Sequence, residues 1–556
     1  MNEAILKHLG ALYGADDSAP VANRLAGFLH SHRRGDTPKP ARQHLPLDQR
    51  DALLITYGDQ VSEPGRPPLQ TLSSFARQHL RDVVSGVHIL PFYPYSSDDG
   101  FSVIDYLKVD PALGTWSDVE RLGADFDLMF DAVFNHMSAK SEWFQKFLND
   151  DPAFRDTFVT VDGNPDLSNV VRPRALPLLT EFQSASGTRK VWTTFSADQV
   201  DVNVKNPTML LLLLEVLLFY VARGAKFIRL DAIAYLWKEI GTSCIHLPQT
   251  HQAIQLMRAV LDEVAPQVLL ITETNVPHRD NISYFGDGSN EAQLVYNFSL
   301  PPLTLHSLLT GDATALTRWA KSLVLPGPRT TWFNFLASHD GIGVNPARGL
   351  LSDAEIDALA ARVQEHGGFI SYKNMPDGSQ LPYEMNINYL DALSNPAAKE
   401  PVELAARKFL TAQSIMLSLQ GLPAVYFHSL FGSRGDRQAA LDTGIKRRIN
   451  REKLKLEPLE RDLADAQSLR SHVFGAFREL LAKRRAHPAF SPAAPQQILE
   501  LDPRVFAVLR ESADGKDRVL CLHNVSDNTV RVNGNGKHFA ECVLKAYETK
   551  WVSSSR

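Results

Sequence analysis

From residue 52 onward, short apolar runs that end in polar residues alternate with stretches of helical apolar spacing. The runs are Leu53–Thr56, Val87–Leu90, Leu128–Asp131, Phe227–Asp231, Val268–Glu273, Leu294–Phe298, Trp332–Leu336 and Ala424–Phe427. Strand and helix in alternation predict parallel βα units. Eight such units predict a closed α/β barrel, the (β/α)8 TIM-barrel architecture, whose functional groups gather at the carboxyl ends of the strands. Before this rhythm, AILKHLGALYG and VANRLAGFLHSH read as helix and RRGDTPKPARQH as a basic linker, giving an N-terminal helical extension over 1–50. Two gaps are too long for simple βα loops. One, 135–206, predicts an inserted B domain, and the other, 341–396, a B' loop subdomain, because loops of this length are functional or fold on their own. Barrel segments then occupy 51–134, 207–340 and 397–486. Over 487–556 the texture changes: RVFAVLRES, RVLCLHNVS and TVRVNGNG read as short antiparallel strands, so a C-terminal all-β domain is expected.

Composition narrows the class. With 58 Lys+Arg against 63 Asp+Glu, net −5, there is no basic excess of the kind nucleic-acid binders show. The most apolar run, Met209 to Val221, carries Glu215 and is shorter than the roughly 18 residues a membrane span needs, so a buried helix is expected. Three cysteines (Cys244, Cys521, Cys542) make no disulfide framework, and no CxxC or Cys/His cluster suggests a zinc site. The N-terminus lacks a basic region followed by an apolar core, so no signal peptide is read. These features favour a soluble cytoplasmic enzyme. Small-molecule partners are expected, with no nucleic acid, no membrane, no cofactor and no metal, and a monomer or homodimer as the assembly.

Four strand ends carry the chemistry: FDAVFNH (Asp131, Asn135, His136), FIRLDAI (Arg229, Asp231), LLITETN (Glu273) and LASHDGIG (His339, Asp340). A single acid at a strand end is more often a cap or loop hydrogen-bonder. Three acids ending apolar strands of one barrel are another matter, since burying like charges together costs several kcal/mol unless they are paired or used. Glycosyl transfer uses such a set: one carboxylate attacks the anomeric carbon while a second carboxylic acid protonates the leaving oxygen. Arg229 lies two residues before Asp231, on the same side of the strand. Its charge would keep Asp231 ionised, whereas Glu273 needs a raised pKa to act as an acid near neutrality.

These motifs, in this order and spacing, resemble glycoside hydrolase family 13, the α-amylase family. The resemblance implies Asp231 as nucleophile, Glu273 as general acid/base and Asp340 as transition-state stabiliser. VHILPFYPYSSDDGFSVIDYLKVD, NHMSAKSEWFQ, VRPRALPLL, VWTTFSADQVDVN, GTSCIHLPQTH and YNFSLPPLTLH further resemble the sucrose phosphorylase subfamily. On that resemblance, Asp98 and Arg447 grip the outer hydroxyls of the glucose in subsite −1. Phe101 forms its aromatic platform and His136 and His339 line it, with Arg229 beside the nucleophile. Arg174, Tyr235 and Tyr383 surround phosphate.

Departures from the sucrose-cleaving pattern cluster at the acceptor: Asn275 stands where a histidine is usual, Glu384 for a glutamine, Leu381 for an aspartate and Arg448 for an aspartate. SSDDGFSVIDY, MSAKSEWF, RPRALPLLTEFQ, ITETNVPH and TTWFNFLASHDGIG resemble the branch of the subfamily whose acceptor is D-glycerate. The activity implied is reversible phosphorolysis of 2-O-α-D-glucosyl-D-glycerate to α-D-glucose 1-phosphate and D-glycerate, with retention. The alternatives are a phosphorylase of sucrose, sucrose 6'-phosphate or glucosylglycerol, an amylase-like hydrolase or transglucosidase with the same three acids, and a non-catalytic barrel. Glu384, a carboxylate among anionic ligands, needs a cation, for which Lys373 or Arg448 is the expectation.

Overall fold

The computed structural model describes residues 1–32, 44–173, 176–374, 379–533 and 541–555. The eight apolar runs form a closed parallel barrel in sequential order: β1 Leu53–Thr56, β2 Gly86–Ile89, β3 Asp127–Ala132, β4 Ala225–Leu230, β5 Leu269–Thr272, β6 Leu294–Tyr296, β7 Thr331–Asn334 and β8 Leu422–Tyr426. Most boundaries move by one or two residues. Asp231 and Glu273 fall one residue past their strands, each with its backbone N–H still bonded to the neighbouring strand, Asp231 N to Ala132 O and Glu273 N to Leu230 O, both at 3.2 Å. Register sets the chemistry. β3 places Asp131 opposite Arg229 of β4, and β5 pairs Thr272 with Leu230, which carries Glu273 level with Asp231.

Contacts divide the chain into two compact units. The first comprises Met1–His44, Ile89–Thr274 and Asp280–Val295. Its N-terminal helix Glu3–His32 packs on helices Pro207–Ala222 and Pro248–Val264, burying Ile5, Leu9, Val21, Leu25 and Leu29. The helix kinks at Gly14, whose φ of 79° is one that only glycine adopts freely. Beside the kink, Tyr13 Oη donates to Val204 O at 2.8 Å. The apolar run 209–221 is the buried helix Pro207–Ala222. Within 135–206 lie two small antiparallel pairs, His136–Ser138 with Gln199–Asp201 and Leu179–Ser184 with Gly187–Trp192.

The second unit comprises Leu45–His88, Asn275–Arg279 and Tyr296–Arg556. After β7 it builds helix Asp353–Glu365 and a three-stranded sheet in which strand Gln380–Asn386 lies between Ile342–Gly343 and Phe369–Asn374. Its C-terminal sheet runs Gln496–Asp502, Val505–Glu511, Asp517–Asn524, Thr549–Ser555, all antiparallel. Alternate residues Val505, Ala507, Leu509, Leu520 and Leu522 face its core. Two buried arginines point guanidinium donors at backbone carbonyls, although Arg484 Nε has no partner among the described residues. Arg484 reaches Gln49 O (2.6 Å), Asp51 O (2.9 Å), Phe490 O (3.0 Å) and Gly421 O (3.3 Å). Arg510 reaches Ser491 O (2.9 Å), Ser418 O (3.0 Å), Ala494 O (3.2 Å) and Pro495 O (3.4 Å). Burial pushes the Arg484 guanidinium down to about 9. Cys244, Cys521 and Cys542 are free thiols.

Candidate active site

In the first unit the end of β4 is the organising point. Arg229, buried, donates to Asp131, its cross-strand neighbour, and to Asp231 Oδ1 at 2.8 Å. Its Nη2 lies 3.9 Å from Glu273 Oε2. One guanidinium therefore faces three carboxylates, bonded to Asp131 and Asp231 and standing farther from Glu273. Asp231 and Glu273 differ in what else holds them. The backbone N–H of Ala232 donates to Glu273 Oε2 at 3.1 Å. Ala232 can do this because it sits in the left-handed region, φ 47° and ψ 29°, where an alanine costs roughly 1–2 kcal/mol. Strain of this kind persists where surrounding structure imposes it, most often at functional sites. It opens the turn Ile233–Tyr235, and the Tyr235 ring meets Phe195 edge-on at 5.6 Å.

The loop after β2 brings Asp98 and Phe101. The Arg229 guanidinium lies 5.6 Å from the centre of the buried Phe101 ring, a cation–π contact. His136, also buried, has Nε2 at 3.0 Å from Phe101 O and Nδ1 at 3.2 Å from the Asn135 amide. Burial pushes its imidazole down to about 4, so it is neutral at pH 7; Nδ1 accepts from Asn135 and Nε2–H donates to the carbonyl. Behind it, Lys238 Nζ donates to Asn135 Oδ1 (2.6 Å) and pairs with Asp201 Oδ2 (2.7 Å), all three buried. Asp201 also accepts from Thr194 N (2.8 Å) and Thr194 Oγ1 (2.6 Å).

In the second unit, the loop after β7 presents His339 and Asp340. Asp340 Oδ1 is 2.7 Å from Arg447 Nη1 and 3.3 Å from Arg451 Nη2. Asn450 Nδ2 donates to Asp340 O at 2.9 Å, and Arg451 Nε to His339 O at 2.9 Å. The segment 447–451 thus grips both the side chain and the backbone of that turn. The cation on Glu384 is Arg447, where Lys373 or Arg448 had been expected: a bidentate pair, Nε to Oε1 at 3.0 Å and Nη2 to Oε2 at 2.6 Å. Lys373 instead lies near Arg348, and burial together with that charge holds its pKa below the ordinary lysine value. Glu384 is buried opposite Gly343, and Tyr383 accepts from Val344 N at 3.1 Å. A Cβ on Gly343 would stand 2.6 Å from both amide atoms of Asn275, so glycine there makes room for that side chain. Asn275 Oδ1 is buried without a hydrogen-bond partner among the described residues.

Arg174 lies outside the described residues. Ahead of it, Val171 N donates to Ser243 O at 3.0 Å, and Val170 packs with Leu178, Trp192 and Cys244. Sequence reasoning missed the partner roles of Asp131, Lys238, Asp201, Asn450 and Arg451. Arg451 carried a signal, standing four residues after Arg447 in KRRINR, but Lys238 looked like any lysine following an apolar turn.

Among the described residues, no group of three or more His, Cys, Asp and Glu could hold a metal ion, and no helix is long and apolar enough to cross a membrane. The α-amylase catalytic-domain model matches residues 79–341. The chain is 52% identical to a glucosylglycerate phosphorylase of Allomeiothermus silvanus, over 99% of this chain and 98% of that one. It is 47% identical to a glucosylglycerate phosphorylase of Escherichia coli, over 99% and 100%. Among solved structures, the sucrose 6F-phosphate phosphorylase of Thermoanaerobacter thermosaccharolyticum superposes with a TM-score of 0.75 at 25% identity, covering 89% of this chain and 98% of that one. Fold, strand-end carboxylates and full-length identity agree: the chain belongs to the glucosylglycerate phosphorylases, a branch of the α-amylase family, glycoside hydrolase family 13.

Proposed function

We propose that this protein catalyses reversible phosphorolysis of 2-O-α-D-glucosyl-D-glycerate. The observation that carries the reading is Arg229, bonded to Asp231 and facing Glu273, on consecutive barrel strands. Asp231, ionised beside the guanidinium, attacks the anomeric carbon. The bond to O2 of glycerate breaks, and Glu273 gives its proton to that oxygen. The result is a β-glucosyl ester and free D-glycerate. A phosphate oxygen then displaces the Asp231 carboxylate, its proton passing to ionised Glu273, and α-D-glucose 1-phosphate leaves. Two inversions give net retention.

Asp340 is assigned to holding sugar hydroxyls in the transition state. Asp98, Phe101, His136, Arg229, His339 and Arg447 bind the glucose. His136, held neutral by burial, lines the glucose without gaining a charge near pH 7. Arg174, Tyr235, Asn275, Tyr383 and Glu384 serve phosphate and acceptor, which occupy the same region in turn. Arg447 balances the Glu384 charge, which otherwise would repel both anions. The segments 135–206, 341–396 and 487–556 are assigned as B, B' and C-terminal domains around the barrel, and the protein is placed in the cytoplasm.

The test is an acceptor screen with glucose 1-phosphate as donor. Phosphate release with D-glycerate far above that with glycerol, fructose or fructose 6-phosphate is expected. Equal release without acceptor would make the protein a hydrolase, and preference for fructose would overturn the acceptor assignment. Asp231→Ala should lose essentially all turnover.

A further inference from the structure

The loop that carries Asp98 is closed at its base by backbone bonds, Ser96 N to Ser102 O at 3.1 Å and Ile104 N to Pro94 O at 2.7 Å, but its tip is strained. Asp98 and Asp99 both adopt left-handed backbone, φ 52° and 50°, and Gly100 follows at φ 111°. A Cβ on Gly100 would stand 2.6 Å from Pro91 O, so the loop is also pressed against the chain beneath it. Two successive side-chain-bearing residues in the left-handed region store strain that the contacts around them must offset.

One carboxylate adds a side-chain tie across both arms of the loop. Asp198 Oδ2 accepts from Ser96 Oγ at 2.5 Å, Ser97 Oγ at 2.5 Å and Ser102 Oγ at 2.8 Å. The Ser102 hydroxyl also lies 2.9 Å from the Asp198 carbonyl, and Ser138 Oγ is 2.5 Å from Ser96 Oγ. The loop is therefore tied at its entry, by 96 and 97, and at its exit, by 102. Between the ties the next residue takes the middle: Gln199 Nε2 is 3.2 Å from Phe101 O and 3.5 Å from Asp98 Oδ2. Hydrogen bonds to an ionised acceptor are about twice as strong as neutral ones, which suits a carboxylate to three hydroxyls.

We propose that Asp198 is a positioning residue for glucose recognition: by gathering Ser96, Ser97 and Ser102 it holds Asp98 where the sugar's outer hydroxyls are read. The inference rests on the assignment of Asp98 to the glucose. Asp198 acts through the loop, so its loss should first weaken the discrimination that Asp98 provides. Asparagine offers one acceptor oxygen in place of two and carries no charge, so it should rescue only in part.

The experiment measures kcat/KM for α-glucose 1-phosphate and its 4-deoxy analogue, with D-glycerate as acceptor. The variants are Asp198→Ala, Asp198→Asn, Asp98→Ala and the double Asp98→Ala/Asp198→Ala. Hydrogen exchange of the peptide spanning 95–102 is followed alongside. Asp198→Ala should lose on the order of tenfold to a hundredfold in kcat/KM for the normal donor, as displacement of a binding group does. It should also narrow the gap between the two donors and speed exchange in that peptide. Asp198→Asn should fall between it and the parent. The double variant should be no worse than Asp98→Ala alone. Additive losses in the double variant, or unchanged discrimination in Asp198→Ala while Asp98→Ala loses it, overturn the positioning role alone. Unchanged discrimination in Asp98→Ala removes the glucose assignment of Asp98, and this inference with it. Should Asp198→Ala not fold, the isosteric Asp198→Asn carries the same comparison.

Discussion

Replacing Lys238 by methionine isolates the buried charge network behind His136. Its ammonium pairs with Asp201 Oδ2 at 2.7 Å and donates to Asn135 Oδ1 at 2.6 Å, and the Lys238 and Asp201 side chains are 3% and 0% exposed. Removing one partner of a buried pair costs about 3–5 kcal/mol, because the remaining charge stays desolvated. Asp201 would keep the bonds from Thr194 N, Thr194 Oγ1 and Asn135 Nδ2, and the methionine would refill most of the volume. The lower end, about 3 kcal/mol, is therefore expected, roughly a hundredfold in the unfolding equilibrium. A second readout follows from charge. Lys238 lowers the His136 pKa and Asp201 raises it, so Lys238→Met should move that imidazole upward from about 4. Adding Asp201→Asn removes both charges. Pairs replaced by neutral groups of similar size are often as stable as the original, so the double variant should regain much of the loss and return His136 toward its burial-set value. Urea unfolding gives the stabilities. Imidazole resonances in histidine-labelled protein, assigned with His136→Gln, give the titration. A single variant within about 1 kcal/mol of the parent, or a double variant less stable than the single, would refute the reasoning.

Acid should destabilise the fold in a defined window. His136, His428 and His523 are held neutral by burial, at about 4, 3 and 3. Their contribution is fully present above about pH 6.5, where the unfolded chain is neutral too, and is lost as pH falls from there toward about 4 for His136 and about 3 for His428 and His523. The part from His136 is roughly 3 kcal/mol, and His136→Gln should flatten a urea-midpoint profile by that amount. Gly343→Ala should displace the Asn275 amide and raise the Michaelis constant for D-glycerate about fivefold, the value of one neutral hydrogen bond, in initial rates of synthesis. Arg451→Lys keeps the charge but not the two-point grip on His339 O and Asp340 Oδ1; it should lower kcat more than it raises KM, and an unchanged kcat would show that the grip does not matter.

What could be read from the residues alone was whatever lies along one strand or just past its end. The eight apolar runs became the barrel because a buried parallel strand is a continuous apolar stretch, visible without its neighbours. Arg229 and Asp231 were legible as a pair because strand geometry alone places i and i+2 together. Contacts that join distant segments were not. Nothing in SADQVD announces that Asp198 collects Ser96, Ser97 and Ser102, and nothing in LPYEMN selects Arg447 over its basic neighbours as the partner of Glu384. In the C-terminal sheet, Gln496–Asp502 and Thr549–Ser555 escaped notice because QQILELD and TKWVSSS are polar strands, and such strands at a sheet's margins carry weak alternation.

The carbonyl-bound arginines bear on how this protein could be cut down or rearranged. Arg484 closes the last long helix and binds oxygens from Gln49 and Asp51 at the start of β1, from Gly421 ahead of β8 and from Phe490 on the way to the final sheet. Arg510, within that sheet, reaches back to Ser418. In a chain whose cysteines are free, these guanidiniums act as non-covalent rivets across segments some 400 residues apart in sequence. Trimming the chain after His487 would delete Arg510 and one of the carbonyls on Arg484, leaving a buried cation short of an acceptor beneath the first barrel strand. The terminal sheet is thus a keystone of the catalytic barrel, and grafting or removing it should be planned as core surgery.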